Sequence, residues 1–265
     1  MVALLKIRGM LEQMSVIERK LADFILENAN LLRDYSSQQL ADAVGTSQSS
    51  VVKFCQRLGF KGYPDLKLAV NEAVITASTL SRNDHTTSEA MADDLTVLVE
   101  NFQFSLITHL RAMLEINDQK TLQDAYALLL NANSVFVAGY GKSAIVAQDM
   151  QYRLLQLGKQ ALLHTDPSIA LQLVNSLPDS SLVFLISESG QNKDLLMLAK
   201  HAQQRNIRCL SLTSYQSNAL NNLADVALFS LSSDDTLLTN PLLVQMAQQH
   251  LCHILYLMLQ QKQTN

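Results

Sequence analysis

Three short runs in this chain combine residue types that can do chemistry. The first, Gly139-Tyr140-Gly141-Lys142-Ser143, follows the apolar stretch SVFVA. Its glycines permit close backbone approach and Ser143 brings a hydroxyl. A helix starting there would turn free amides and the positive end of its dipole toward an anion. The second, Ser187-Glu188-Ser189-Gly190-Gln191-Asn192, follows LVFLI and offers two hydroxyls, a glycine and another helix start. Ligands of open parallel sheets bind at the carboxyl ends of strands, where both runs fall. Either alone is ordinary turn and cap material. Together they describe a cradle for a phosphate group.

The third run, SSQQLADAVGTSQSSVVKFCQRLGF over residues 36–60, has the spacing of two short helices joined by a glycine turn. Ser36 with Gln39 reads as a capping box. Ala41 is small enough for a steep helix crossing. Gly45 ends the first helix in a left-handed turn, and Thr46 or Ser47 caps the second. In that second helix, Val51, Phe54, Cys55 and Leu58 share one stripe, while Ser47, Gln48, Ser49, Ser50, Lys53 and Arg57 lie opposite or at the exposed start. Small polar groups at the start of such a helix suit base edges in a major groove, and later cations suit phosphates. Lys61 and Lys67 add to a locally basic segment opposed only by Asp65.

Composition and spacing bound the alternatives. With 265 residues, 48% hydrophobic and 17% charged, the chain is globular and long enough for about two domains. A formal net charge of -4 argues against a protein coated in nucleic acid, so any DNA contact is a local patch. Cys55, Cys209 and Cys252 lie far apart without metal-ligand spacing and read as buried thiols of a reducing cytoplasm. Lys6 and Arg8 interrupt the N-terminal apolar run, which argues against a signal peptide, and Gln245, Gln248, Gln249, His250 and His253 argue against a membrane span near residues 241–259. Neither metal nor cofactor is expected. The glycine loop is no dinucleotide fingerprint, because no acidic residue ends the second strand, where His164-Thr165-Asp166 stands. His250 and His253 read as packing, with no carboxylate spaced beside them on their helix, and Asp234 and Asp235 as a solvated loop.

The elements that must position these residues change character once. Helices are expected at about 2–13 and 15–29, then the helical pair, then a helix from Pro64 to about 75. Residues 76–90, polar and rich in Ser and Thr, read as a linker, or a helix end followed by one. From Met91 two helices precede alternating strands and helices: SVFVAG, a helix at 143–157, QALLH, a helix near 168–177, SLVFLIS, a helix at 192–204, IRCLSL, a short helix near 217–223, VALFSL and a long terminal helix. Continuous apolar strands separated by helices predict a parallel sheet covered on both faces. The fold class is therefore an all-α helix-turn-helix domain over residues 1–75, followed by an α/β parallel-sheet domain over residues 91–265.

With both motifs in this order, the chain resembles the RpiR family of transcriptional regulators, in which a helix-turn-helix domain precedes a sugar isomerase (SIS) domain. The resemblance covers nearly the whole chain. It implies a cytoplasmic homodimer or homotetramer that binds palindromic operator DNA, represses a sugar or amino-sugar catabolic operon, and is relieved by a sugar phosphate, with N-acetylmannosamine 6-phosphate the favoured guess. It assigns the phosphate to Ser143, Ser187 and Ser189, with Gly141, Gly190 and the neighbouring amides. Asn192 and Asp194 stand where the family's second loop usually carries Thr and then an acidic residue. By type, His164 suits a sugar hydroxyl or an exposed loop start, and Glu188 suits the ligand or solvent; the favoured guess puts both near the sugar. Ser217-Asn218-Ala219-Leu220 departs from the family's Ser-Pro-Leu. The implied protein is not an enzyme. The rival reading is a sugar phosphate isomerase whose N-terminal helices mediate assembly; it needs a general base, and no residue stands out as one.

Overall fold

The computed structural model describes residues 2–83, 91–231 and 241–264, and the chain divides into two compact units, residues 1–105 and 106–265. In the first unit α1 (Val2–Met10) gives way to a 3-10 turn, Leu11–Gln13, where one continuous helix was expected. The reason lies in the next residues. Ser15 is extended and caps α2 (Val16–Glu27): its hydroxyl accepts the Glu18 N–H while Glu18 Oε2 accepts the Ser15 N–H at 2.8 Å, and this box draws the backbone out of α1's path.

A second box, Ser36 with Gln39, opens α3 (Ser37–Val44), and Gly45, left-handed at φ 72°, closes it. Of the two candidate caps for α4 (Gln48–Arg57), Ser47 is the one used, its Oγ accepting the Ser50 N–H at 3.2 Å. Leu21, Ile25, Leu40, Ala41, Val51, Phe54 and Leu66 form the sealed centre of this unit, so the small residue expected at the helix crossing is wholly buried. The final helix of the run, α5 (Tyr63–Asn83), has Pro64 in its first turn and passes the expected stop near residue 75. No Gly or Pro occurs between Pro64 and Asn83 to break it, so the first part of the segment read as linker is helical. The rest of that segment, residues 84–90, lies outside the described residues.

Then follow α6 (Met91–Ile116), α7 (Gln119–Asn131), β1 (Ser134–Gly139), α8 (Ser143–Gln156), β2 (Gln160–Leu162), α9 (Pro167–Ser176), β3 (Leu182–Ile186), α10 (Lys193–Gln204), β4 (Arg208–Ser214), a 3-10 turn at Asn221–Leu223, β5 (Val226–Ser230) and α11 (Pro241–Thr264). The five strands form one parallel sheet in the order β2-β1-β3-β4-β5. Side chains alternate between its faces. Val135, Val137, Phe184 and Ile186 join α8 and α11 on one side, while Phe136, Ala138, Val183 and Leu185 join α9 and α10 on the other. That double burial is why β1 and β3 read as unbroken apolar runs.

Side-chain amides and an ammonium finish the frame. Asn117 acts as a short extra strand beside β5, its Oδ1 accepting the Phe229 N–H and its Nδ2 donating to the Phe229 carbonyl. Lys159 Nζ donates to the carbonyls of Leu130 and Ala132 at 3.0 Å each, capping the negative end of α7. The helix expected near 217–223 shrinks to the 3-10 turn because Asn218 Oδ1 takes the Asn221 N–H. Asp234 and Asp235 lie outside the described residues.

Candidate functional site

The sheet order places a topological switch between β1 and β3: the chain leaves β1 for β2 on one side and crosses to β3 on the other. The two glycine-serine loops follow these two strands, with Gly139 in register with Ile186. They open onto a cavity of about 440 Å³, a size suited to a small-molecule ligand. It is lined by Tyr140, Lys142, Ser143, Ser187, Glu188, Ser189 and Asn192 from these loops, and by Leu195, Ser214 and Gln216. The cavity thus sits at the strand ends where the loops diverge.

Each loop is held by identifiable constraints. A Cβ on Gly139 would fall 2.6 Å from the Ser143 carbonyl oxygen and 3.1 Å from that of Ile186, so only glycine lets β1 run this close to the start of α8. Gly141 and Gly190 take left-handed turns at φ 60° and 61°. α8 begins with no side-chain cap, its Ala144 and Ile145 N–H groups turning to the Gly141 and Lys142 carbonyls at 3.2 and 3.3 Å and its positive dipole end facing the loop, whereas Asn192 caps α10 by accepting the Leu195 N–H at 3.0 Å. Ser187 Oγ accepts the Gly190 N–H at 3.2 Å, and Ser189 Oγ the Gln191 N–H at 3.3 Å, so both hydroxyl protons remain for a ligand. The Glu188 carbonyl is fixed from behind by the Ser214 N–H at 2.9 Å and the Ser214 hydroxyl at 2.7 Å. Asn218, buried, packs on Gly190 and donates to Thr213 Oγ1 and the Gln216 carbonyl, binding the loop after β4 to the loop after β3.

Of the residues expected at the ligand, five line the cavity: Ser143, Ser187, Glu188, Ser189 and Asn192. Gly141 and Gly190 shape its turns without lining it. His164 is not brought to it. Strand β2 stops at Leu162, and the His164 imidazole accepts the Asp166 N–H through Nδ1 at 3.1 Å, next to the Asp166 carboxylate that caps α9. Tyr140, Lys142, Leu195, Ser214 and Gln216 were not singled out from sequence. The first two stood inside the glycine loop, whose glycines and serine alone were given roles. Ser214 and Gln216 close a strand with no glycine and no helix start to mark it. Burial, and then the nearby carboxylates of Asp194 and Asp166, push the Tyr140 phenol above its ordinary pKa.

On the helical pair, Ser47, Gln48, Ser49 and Lys53 are exposed and Ser50 is half-buried, all at the start or on the outer side of α4. The Ser47 hydroxyl is shared with those of Ser49 and Ser50 at 2.8 and 2.9 Å, and Gln48 Nε2 donates to Ser37 Oγ at 2.8 Å. No ion pair holds Lys53 among the described residues. Arg57, expected at DNA, also has partners within the protein. Its guanidinium bonds Glu18 Oε2 at 2.5 Å and the Gln13 carbonyl at 2.6 Å, tying the end of α4 to the start of α2. Lys67 likewise donates to the Tyr35 carbonyl at 2.9 Å. His253, read from sequence as lacking a carboxylate on its own helix, meets one from α8, Asp149 Oδ2, at 2.6 Å. Among the described residues no helix is long and apolar enough to cross a membrane.

Comparison with known proteins agrees with this geometry. Residues 1–77 match the helix-turn-helix domain of the rpiR family, and residues 128–258 the SIS domain. The chain is 30% identical over 260 residues to the uncharacterised HTH-type transcriptional regulator YfhH of Escherichia coli K12, covering 98% of this chain and 92% of that one. It is 29% identical over 232 residues to YbbH of Bacillus subtilis 168, covering 88% and 81%. The structure of Vibrio vulnificus NanR complexed with ManNAc-6P matches with a TM-score of 0.58 at 26% identity, over 98% of this chain and 92% of that one. A phosphoheptose isomerase of Francisella tularensis shares the fold alone, with a TM-score of 0.52 at 18% identity over 65% of this chain and 100% of that one. A helix-turn-helix unit with an exposed polar helix, joined to a parallel-sheet unit with a phosphate-type cradle at its switch point, makes this chain a transcriptional regulator belonging to the rpiR family, with an SIS domain after its helix-turn-helix domain.

Proposed function

We propose that the chain represses a sugar or amino-sugar catabolic operon and is released from operator DNA by a sugar phosphate held in the strand-end cavity. The observation that carries this reading is the convergence of Ser143, Ser187 and Ser189 with an uncapped helix start at the switch point. Hydroxyl donors and the positive end of the α8 dipole together suit a dianionic phosphate, and Lys142, which lines the cavity, adds a positive charge. Glu188 faces the sugar, and Asn192 holds the second loop in shape by capping α10. N-acetylmannosamine 6-phosphate is the first candidate effector, supported by the ligand named for the NanR complex.

On DNA, Ser47, Gln48, Ser49 and Ser50 meet base edges and Lys53 a phosphate, while Arg57 fixes the helix that presents them. Residues 1–75 form the DNA-binding part and residues 91–265 the effector-binding part. The protein works as a homodimer or homotetramer on a palindromic operator, since a single motif reads few base pairs. Ile145, Tyr152 and Leu155 leave an apolar stripe on α8 that a second copy would cover.

The test is operator binding at one salt concentration with and without N-acetylmannosamine 6-phosphate. A ligand acts only through its differential affinity for the two states, so operator affinity should fall by about 5–150-fold. Unchanged operator affinity at a ligand concentration that saturates the protein by thermal shift would refute the effector model.

A further inference from the structure

Tyr140 stands out as a polar group that the cradle does not use. It sits between Gly139, fixed by the approach of β1 to α8, and Gly141, fixed in a left-handed turn, so its backbone has little freedom. Its side chain packs against the apolar cluster on the α9–α10 face of the sheet and also lines the cavity. Its hydroxyl is sealed from solvent, yet no group among the described residues accepts its proton. The nearby carboxylates leave it unpaired: Asp166 Oδ1 accepts the N–H groups of Ser168 and Ile169, and no bond joins Asp194 to the phenol. A buried O–H without an acceptor is destabilising, and phenylalanine would serve the fold better at this position.

We propose that Tyr140 is a specificity-determining residue of the effector cavity: its side chain lines the cavity, and on effector binding the phenol turns its hydroxyl, closed off in the ligand-free protein, to donate its proton to a neutral oxygen of the sugar, a hydroxyl or an acyl carbonyl. This rests on the cavity being the sugar phosphate site. The field around the phenol decides the ligand class. Asp166 and Asp194 lie close enough to the phenol to act on it, and the Glu188 carboxylate lines the same cavity. A second anionic group on the ligand would meet those carboxylates. The site therefore selects neutral or N-acylated sugar phosphates and rejects phosphorylated sugar acids, as like charges brought together without water oppose binding.

The experiment titrates N-acetylmannosamine 6-phosphate, mannose 6-phosphate, 6-phosphogluconate and inorganic phosphate into the full-length wild-type chain, Tyr140→Phe and Ser187→Ala. Wild type should bind at least one neutral sugar phosphate more tightly than 6-phosphogluconate. Tyr140→Phe should lose about tenfold or more of that affinity, as expected for a lost buried hydrogen bond, while inorganic phosphate binds it as it binds wild type. Without ligand, Tyr140→Phe should melt at the same or a higher temperature, because the variant removes an unsatisfied group. Equal affinity of wild type and Tyr140→Phe for every sugar phosphate overturns the proposal while Ser187→Ala still reports on the cradle. Tighter binding of 6-phosphogluconate than of both neutral ligands overturns it too. Failure of wild type to bind any sugar phosphate removes the cavity reading and this proposal with it.

Discussion

Replacing Arg57 by alanine separates two roles that a cation on a recognition helix can have. The guanidinium makes two bonds within the protein, to Glu18 Oε2 at 2.5 Å and to the Gln13 carbonyl at 2.6 Å. Hydrogen bonds to charged groups contribute about 1.5–3 kcal/mol when shielded, and exposed ion pairs about 0.2–1 kcal/mol. With 39% of the Arg57 side chain and 18% of the Glu18 side chain exposed, Arg57→Ala should cost about 1–2 kcal/mol. For a unit of this size each kcal/mol lowers the melting temperature by about 4–8 °C. Burial alone would raise the Glu18 pKa, but bonds from Arg57 and Ser15 outweigh it and leave the carboxyl below its ordinary 4.5. A depressed folded-state value stabilises above the unfolded value and is lost as pH falls through the folded one. The gap between wild type and Arg57→Ala should thus be full above about pH 4.5 and close in more acidic solution. Thermal melts of wild type, Arg57→Ala, Glu18→Gln and the double variant should show strong non-additivity. Additive effects, with Arg57→Ala melting like wild type but losing about one unit of salt slope in operator binding, would refute the clamp and restore a phosphate contact.

Lys53→Ala should leave the melting temperature nearly unchanged, weaken operator binding across sequences and reduce the salt slope by about one; an unchanged slope would remove Lys53 from the interface. Gly139→Ala should cost about 3 kcal/mol or more, since its Cβ would meet backbone at 2.6 Å, whereas Gly45→Ala, with open space around it and only φ 72° against it, should cost about 1–2 kcal/mol. Equal melting temperatures for the two variants would contradict the close approach of β1 to α8. Burial pushes the Cys55 and Cys209 thiols up to about 12, and Cys252 up as well. Thiol reagents should therefore leave the native protein unlabelled at neutral pH and react on unfolding, and fast native labelling would show that these sites open.

Where a residue's structural consequence is local, the sequence carries it. Ser36 with Gln39, Gly45 and Ser47 act within four residues of themselves, so cap, box and turn stand where the pattern puts them. The strands β1 and β3 were legible because both faces are buried and every position is apolar. Helix ends set by a competing side chain were not. Asn218, read as a departure from a family motif, spends its amide on Thr213, Gln216 and Asn221 and so cuts the expected helix to a single 3-10 turn. The end of α5 was missed for the opposite reason: Ser and Thr lower helix propensity by too little to stop a helix that meets no Gly or Pro.

The site divides along the same line. Loop residues whose role is to offer a hydroxyl or a turn, such as Ser143, Ser187 and Gly190, declare themselves by type and neighbour. Residues whose role depends on what lies across the fold do not. Arg57 finds Glu18 thirty-nine positions earlier, and nothing in a basic helical face distinguishes a cation bonded to its own chain from one without such a partner. Lys53, one helical turn before it, has the same charge and the opposite circumstance. Tyr140 completes the argument, because in sequence it is a residue between two glycines and in the fold it is a donor without an acceptor beside a cavity. An unmet hydrogen bond is a property of the surroundings, so a residue type can never announce it. The surroundings also give it meaning, since a ligand oxygen brought to the phenol would supply the acceptor that the described residues do not.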